Sequence, residues 1–358
     1  MKAATVISCL AALANGAAIN LGKRAGPLDV KIEQVGNSEL KASITNTGTT
    51  PLRVLKAGSI LDGSPVEKAQ FSTASADGAS TVNKVAFTGV RVYVHDADLP
   101  DTAFRTIAAG EVVQVQWDAA QVHDLSSGGD YNISSTGSLR YAEEGSNKIV
   151  GQVVFDSGVL QAKVDGVQAA SVHAAFHQSL AEKRVTIQSD CTGSKKTAVT
   201  AALSKAKSYA TAAQTAATAG TRVEQYFGSS SSSTKSTVAS VFGKAATLLG
   251  STSSGAGLHC TDVGNFCSDG VVAYAQPGTD GYIVVCDYWF QFPASTSTCH
   301  GADQPYVLVH ESTHLSEVAG TDDVCYGYEG CVDGLSTSQA LNNADSFAMY
   351  AHGIQTNC

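Results

Sequence analysis

No cysteine falls between Cys9 and Cys191. The first half of the 358-residue chain therefore has no means of crosslinking itself. No run beyond the N-terminus approaches the ~20 apolar residues of a membrane helix. Positive charge is short too: 23 Lys+Arg face 32 Asp+Glu, a net −9, which argues against nucleic acid as a partner. C-x-x-C is absent, which weakens any reading of the cysteines as a zinc cluster.

What is present is unevenly distributed. The chain opens MKAATVISCLAALANGAAIN, with Lys2, an apolar run over 3–14, and small residues at Gly16, Ala17 and Ala18. That is the pattern of a secretory signal peptide, taken as residues 1–18, and it predicts a secreted, extracellular, soluble product; a monomer is expected. The other eight cysteines are Cys191, Cys260, Cys267, Cys286, Cys299, Cys325, Cys331 and Cys358. An even set in a secreted chain reads as disulfides, but roughly a hundred full pairings are possible, so sequence alone does not fix the connectivity.

The length suits two domains. Residues 19–184 read as β-rich. DVKIEQV, ELKASITNT, PLRVLKAG, VNKVAFTGVRVYVHD and EVVQVQWD alternate β-branched with polar residues, and NTGTTP and DGSP are turn signals. Short strands at this spacing predict an antiparallel sandwich. Asn132-Ile133-Ser134 is the one clear glycosylation acceptor, and none follows Arg184. SVHAAFHQSLAEKR reads as a short amphipathic helix, on which His173 and His177, four apart, share a face and could touch a metal. It ends in the dibasic pair Lys183-Arg184, where a processing protease could cut; Lys23-Arg24 is a second candidate.

A cut after Arg184 leaves 185–358, with seven Lys+Arg and fourteen Asp+Glu, a net −7 of the chain's −9. Acid concentrated there weakly favours basic substrates. KKTAVTAALSKAKSYATAAQTAATAG reads as a helix ending at Gly220, and STKSTVASVFGKAATLLG as a second. GSSSSSTKS between them reads as a loop. VVAYAQPGTDGYIVVCDYWFQFP reads as two strands about a Pro-Gly turn, YVLVHESTHLSEVAG as a third helix, and TSQALNNADSFAMYAHGI as a fourth. The fold class expected is α+β, mainly helical, with a small antiparallel sheet.

HESTH, residues 310–314, matches H-E-x-x-H. On a helix His310 and His314 face one way and can converge on a zinc ion, while Glu311 points beside it, placed to work on water. A third ligand is needed. LSEVAG after His314 offers no histidine at the metzincin position. Glu329 lies in a stretch too glycine-rich for a helix, and Glu317 stays on the third helix facing solvent. Gly320 can reverse the chain, so Asp322 and Asp323 can both return to the metal, and the residues alone do not choose between them.

HESTH followed by Gly320-Thr321-Asp322-Asp323-Val324-Cys325-Tyr326-Gly327 resembles the deuterolysins, the fungal aspzincin metalloendopeptidases. The match is strong over 310–327 and loose before 185. It implies a zincin-like catalytic domain at 185–358 behind a signal (1–18) and a propeptide (19–184), with one Zn2+ per chain. It implies His310, His314 and Asp323 as ligands, Glu311 as the base, and Tyr326 as a donor to the oxyanion. It further implies Tyr288 as a second catalytic tyrosine, and Asp345 as a residue behind the metal or in a pocket for a basic side chain. The implied disulfides are Cys191–Cys260, Cys267–Cys286 and Cys299–Cys358, leaving Cys325–Cys331. One departure is a short spacer after HExxH, which demands a tight turn at Val318–Gly320.

The function expected is therefore that of a zymogen protease acting on proteins or peptides, with neither nucleic acid nor membrane as a partner. A strand edge near 270–285 could take the substrate as an added strand. With no cysteine in the prosegment, latency must be steric or must use His173 or His177. The alternatives are a zinc-dependent amidase, or an adhesion module in 25–184 carrying an inert C-terminal domain.

Overall fold

In this computed structural model the described residues are 27–73, 83–95, 99–182, 189–250, 257–268, 270–278 and 281–358, without the side chains of 179–182. The expected signal (1–18), Lys23-Arg24 and Lys183-Arg184 lie outside them.

The N-terminal half is built of strands β1 (Leu28–Gln34), β2 (Glu39–Asn46), β3 (Leu52–Leu55), β4 (Gln70–Thr73), β5 (Asn83–Lys84), β6 (Arg91–Val94), β7 (Phe104–Ile107), β8 (Val112–Asp118), β9 (Gly129–Ala142) and β10 (Ile149–Val164), closed by helix α1 (Gly166–Glu182). One sheet runs β1-β2-β8; another runs β5-β4-β9-β3-β7 with β10 on β9. Alternation makes these strands work. In β2 every second residue, Leu40, Ala42 and Ile44, is buried, and Leu28, Val30, Val54, Ile107 and Leu139 join Ala42 and Ile44 in a core. The long β9–β10 hairpin was not legible in the sequence. Its strands carry many Gly, Ser and polar residues, and a register shift between Asp156 and Val159 breaks the alternation.

The C-terminal half contains helices α2 (Gly193–Ala219), α3 (Val223–Phe227), α4 (Ser232–Gly250), α5 (Gln304–His314), α6 (Tyr328–Val332), α7 (Thr337–Ala340) and α8 (Ala344–Thr356), with strands β11 (Gly257–His259), β12 (Val271–Gln276) and β13 (Tyr282–Val285). On α2 a stripe of Val199, Ala202, Ala206, Tyr209, Ala210, Ala213 and Ala217 is buried, small enough for close packing on α4. Gly220, at φ 81°, ends it.

Three element readings need correction. The serine run is a loop only at its start, because Ser231 Oγ accepts from Thr234 N (3.1 Å) and α4 begins at Ser232. The HESTH helix stops at His314, not Gly320: Leu315 is extended, and its carbonyl collects the N–H groups of Val318, Ala319 and Gly320. Glu317 is thus exposed on a turn rather than on that helix. The fourth helix is two helices, broken where Asn343 turns extended and bridges to Asp322. In addition a short helix, α6, does form in the glycine-rich stretch, with Glu329 exposed on it.

The structure contains the four disulfides Cys191–Cys260, Cys267–Cys286, Cys299–Cys358 and Cys325–Cys331.

The two halves share one sheet. Its order is β11-β13-β12-β6, so a strand of the N-terminal half lies antiparallel on the edge of the C-terminal hairpin, Arg91 opposite Ala275 and Tyr93 opposite Ala273. Val90, Val92 and Val94 bury their side chains with Val271, Tyr274 and Val284 in a common core. The stretch VRVYVHD reads correctly as a strand. Its partner could not be read, because period-2 alternation says nothing about which edge a strand joins.

Candidate metal centre

Helix α5 is started by Asp303, whose carboxylate accepts from Tyr306 N (2.8 Å) and from Tyr209 Oη (2.9 Å). The helix is buried along its whole length between α2, α8 and β12. Four-residue spacing stacks His310 over His314, and their Nε2 atoms lie 3.1 Å apart, both fully buried.

Their other ring nitrogens decide what the pair can do. His314 Nδ1 donates to the carbonyl of Thr321 (2.8 Å), and His310 Nδ1 lies 3.3 Å from Asp345 Oδ1. Protons on both Nδ1 atoms leave both Nε2 atoms as lone pairs facing each other. Asp323 Oδ1 completes a triangle at 3.1 Å from His310 Nε2 and 3.4 Å from His314 Nε2. Three electron-pair donors this close repel unless a cation sits among them. A tetrahedral zinc with ~2.0–2.1 Å bonds spaces its ligand atoms by about 3.3 Å, so the donor set fits zinc. Asp323 Oδ1 and both oxygens of Glu311 are moreover buried without a hydrogen-bond partner.

The charges around the triangle favour a positive species at its centre, whether a proton on His310 or a metal ion. Burial opposes a charged His310, but the carboxylates of Asp323 and Asp345 outweigh it and raise it to about 10. Burial lowers His314 and raises Glu311 well above the carboxylate range. Asp323 is held well below that range, the histidines outweighing its burial.

The turn at Leu315–Gly320 is as tight as the short spacer demands. Gly320 takes φ 63°, and Thr321 N then returns to the carbonyl of Thr313 (3.1 Å). The next residues are clamped from α8: Asn343 Oδ1 accepts from Val324 N (2.9 Å) and Cys325 N (3.2 Å), and Asp322 N donates to Asn342 O (2.8 Å). The clamp turns Asp323 to the histidines and Asp322 away. Asp322 meets Arg91 through Oδ1, and its Oδ2 accepts from Lys84 (3.0 Å) and Asn342 (2.7 Å). Thr321 and Asn343 stand in stretches the resemblance covers, but neither they nor Asn342 and Asp303 could be given a role from the sequence, since ordinary polar residues gain these roles only through a distant partner.

Asp345 sits on the far side of His310. Its Oδ1 accepts from Tyr306 Oη (2.6 Å), and its Oδ2 from Gly327 N (2.7 Å). Both oxygens are engaged, so it orients His310 instead of offering a free carboxylate. Tyr326 lies almost parallel to the His310 ring, centroids 5.9 Å apart, under the Arg140 guanidinium. The structure places Tyr288 against His95, Oη to Nδ1 at 3.1 Å. His173 and His177 are elsewhere: both approach Thr88 Oγ1, at 3.3 and 3.0 Å, within the N-terminal half. Among the described residues the only other candidate metal grouping is Cys299, His300 and Cys358, and its two sulfurs are joined to each other.

Strand β6 crosses this centre. Tyr93 presents its edge to His310 (centroids 4.8 Å), and Tyr326 Oη donates to the carbonyl of Val92 (3.0 Å). Arg91, Val92 and Tyr93 carry no sequence motif that announces this.

The sequence comparisons give the family. Residues 1–358 match the family model described as the deuterolysin metalloprotease (M35) family. A neutral protease 2 homolog of Colletotrichum graminicola is 42% identical over 364 residues, 100% of each chain. Another, of Pyricularia oryzae, is 40% identical over 99% of this chain and 98% of its own. Among solved structures, a zinc peptidase from Grifola frondosa aligns with 46% of this chain and 97% of its own, at 27% identity and a TM-score of 0.39. A chain matched end to end in this way belongs to the deuterolysin metalloprotease family and is a zinc metalloendopeptidase.

Proposed function

We propose that the protein is a secreted zymogen whose active centre is closed by its own prosegment. Residues 1–18 are the signal and 19–184 a β-sandwich-like propeptide. Residues 185–358 are a zincin-like, mainly helical catalytic domain, released by a processing protease after Lys183-Arg184 and active outside the cell as a monomer. One zinc ion per chain is held by His310, His314 and Asp323. The observation that carries the reading is the triangle of Nε2, Nε2 and Oδ1 with both Nδ1 atoms committed elsewhere.

A zinc ion held there supplies a Lewis acid for the scissile carbonyl and makes water more acidic near neutrality. Glu311, buried with two unpartnered oxygens, takes the proton from the attacking water and returns it to the leaving amine nitrogen. Tyr326 Oη, already a donor to a peptide carbonyl, serves the developing oxyanion. Asp345 fixes the tautomer of His310. Tyr288, held on His95 in the uncut chain, is the second tyrosine of the centre. The acidity of 185–358 supports a leaning toward basic protein substrates.

Latency on this reading is steric. The prosegment supplies a strand, not a ligand, and the histidines at 173 and 177 face Thr88. The test is Glu311→Gln in the processed enzyme. Zinc content should stay at wild-type level while turnover falls ~100- to 10,000-fold; normal turnover would refute the assignment.

A further inference from the structure

Strand β6 is laid down as a substrate would be, antiparallel on the β12 edge of the C-terminal hairpin with its backbone crossing the metal centre. Successive side chains of a strand alternate, so Arg91 and Tyr93 share a face. Tyr93 reaches His310, and Arg91 reaches Asp322, the chain neighbour of Asp323. Between them the carbonyl of Val92 takes the hydrogen bond from Tyr326. That carbonyl marks where the carbonyl of a cut bond would lie, so Arg91 stands for the substrate residue one step before it.

Arg91 is almost fully buried, and its guanidinium is shared between Asp322 and Glu67. Glu67 and Lys84 belong to the same half as Arg91 and depart with it. Asp322 then keeps the amide of Asn342 on Oδ2, and its backbone stays pinned through Asn342 O and Ala344 N. The carboxylate is left fixed in direction and without a cation, beside the edge where a peptide backbone docks. A preorganised acceptor of this kind discriminates by charge at small ordering cost.

On the proposed active centre, we propose that Asp322 is a specificity residue. It takes the Arg or Lys side chain of the substrate residue preceding the one whose carbonyl is attacked. Arg91 occupies that place in the uncut chain.

The test uses the full-length chain, processed after Arg184 and separated from its prosegment. Three peptides of one sequence are compared, with Arg, Gln or Glu as the second residue before the cut bond. Wild-type kcat/KM should fall roughly tenfold from Arg to Gln and further to Glu. In Asp322→Asn the Arg-to-Gln ratio should collapse toward one, with zinc content retained. Equal cleavage of all three peptides by wild type would overturn the proposal without needing the variant. So would a variant that discriminates as wild type does, because Asp322 would then serve only to hold the prosegment. Cleavage that persists at the wild-type rate in Glu311→Gln would instead count against the active centre itself.

Discussion

The two halves of the molecule are stabilised by different means. Residues 27–182 fold into sheets with no crosslink, held by alternating apolar faces around their own cores. Residues 189–358 pack helices around α5 and add four disulfides, one of them, Cys325–Cys331, just beyond Asp323. A bridge acts mainly by restricting the unfolded chain, and on the proposed reading residues 189–358 are the part that must survive alone in an oxidising medium. On the same reading the N-terminal half need last only until processing. The halves meet through a separate core, where valines of β6 interleave with β12 and β13. The seam is therefore apolar on one face of β6, and on the other it carries Arg91 and Tyr93 into the metal centre.

The largest effect that could break this contrast lies in the centre. Asp323→Ala should lose zinc and activity together, measured by metal analysis of the purified protein, whereas Asp322→Ala should keep its zinc. The reverse pattern would mean that the clamp from Asn343 aims the wrong aspartate.

A second prediction concerns the bridges. Reduction should destabilise residues 191–358 by several kcal/mol, at ~2–4 kcal/mol per bridge, most through Cys191–Cys260 with its separation of 69 residues. Region-resolved hydrogen exchange should show protection lost in α2 and α4 and unchanged in β1, β2 and β8. Equal loss in both halves would show that the N-terminal half leans on the other for its fold.

The smallest effect sharpens the N-terminal side. Burial lowers Lys68 to about 8, with Asp62 only partly offsetting it. The unfolded chain binds the proton more tightly, so the penalty is fully present below pH 8 and fades as the pH rises toward the ordinary lysine value. Stability of the N-terminal half should therefore rise by about 3 kcal/mol over that window. Lys68→Met should be more stable at neutral pH and flat across it, as followed by chemical unfolding. A wild-type protein flat across the window would contradict the burial argument.

Legibility from sequence followed the range of the forces involved. HESTH was readable because helical spacing alone brings His310 and His314 together, and the αL preference of Gly320 foretold the reversal that returns Asp323. The choice between Asp322 and Asp323 was not readable from the residues. It depends on Asn343, twenty positions on, and only the motif resemblance pointed to Asp323. The end of α5 is not legible because apolar periodicity continues past His314 while Leu315 turns extended. The pairing of β6 with β12 links residues some 180 positions apart, and nothing local encodes it. Tyr93, Arg91 and the whole covering of the site were lost with that pairing.

The central claim is that one complete zinc centre exists before processing and is closed by β6. It is tested most directly by measuring zinc content and peptidase activity on one preparation before and after a cut behind Arg184. The account predicts the same zinc content in both states and activity that appears only after the cut. Full activity in the uncut chain, or zinc acquired only after the cut, would contradict it.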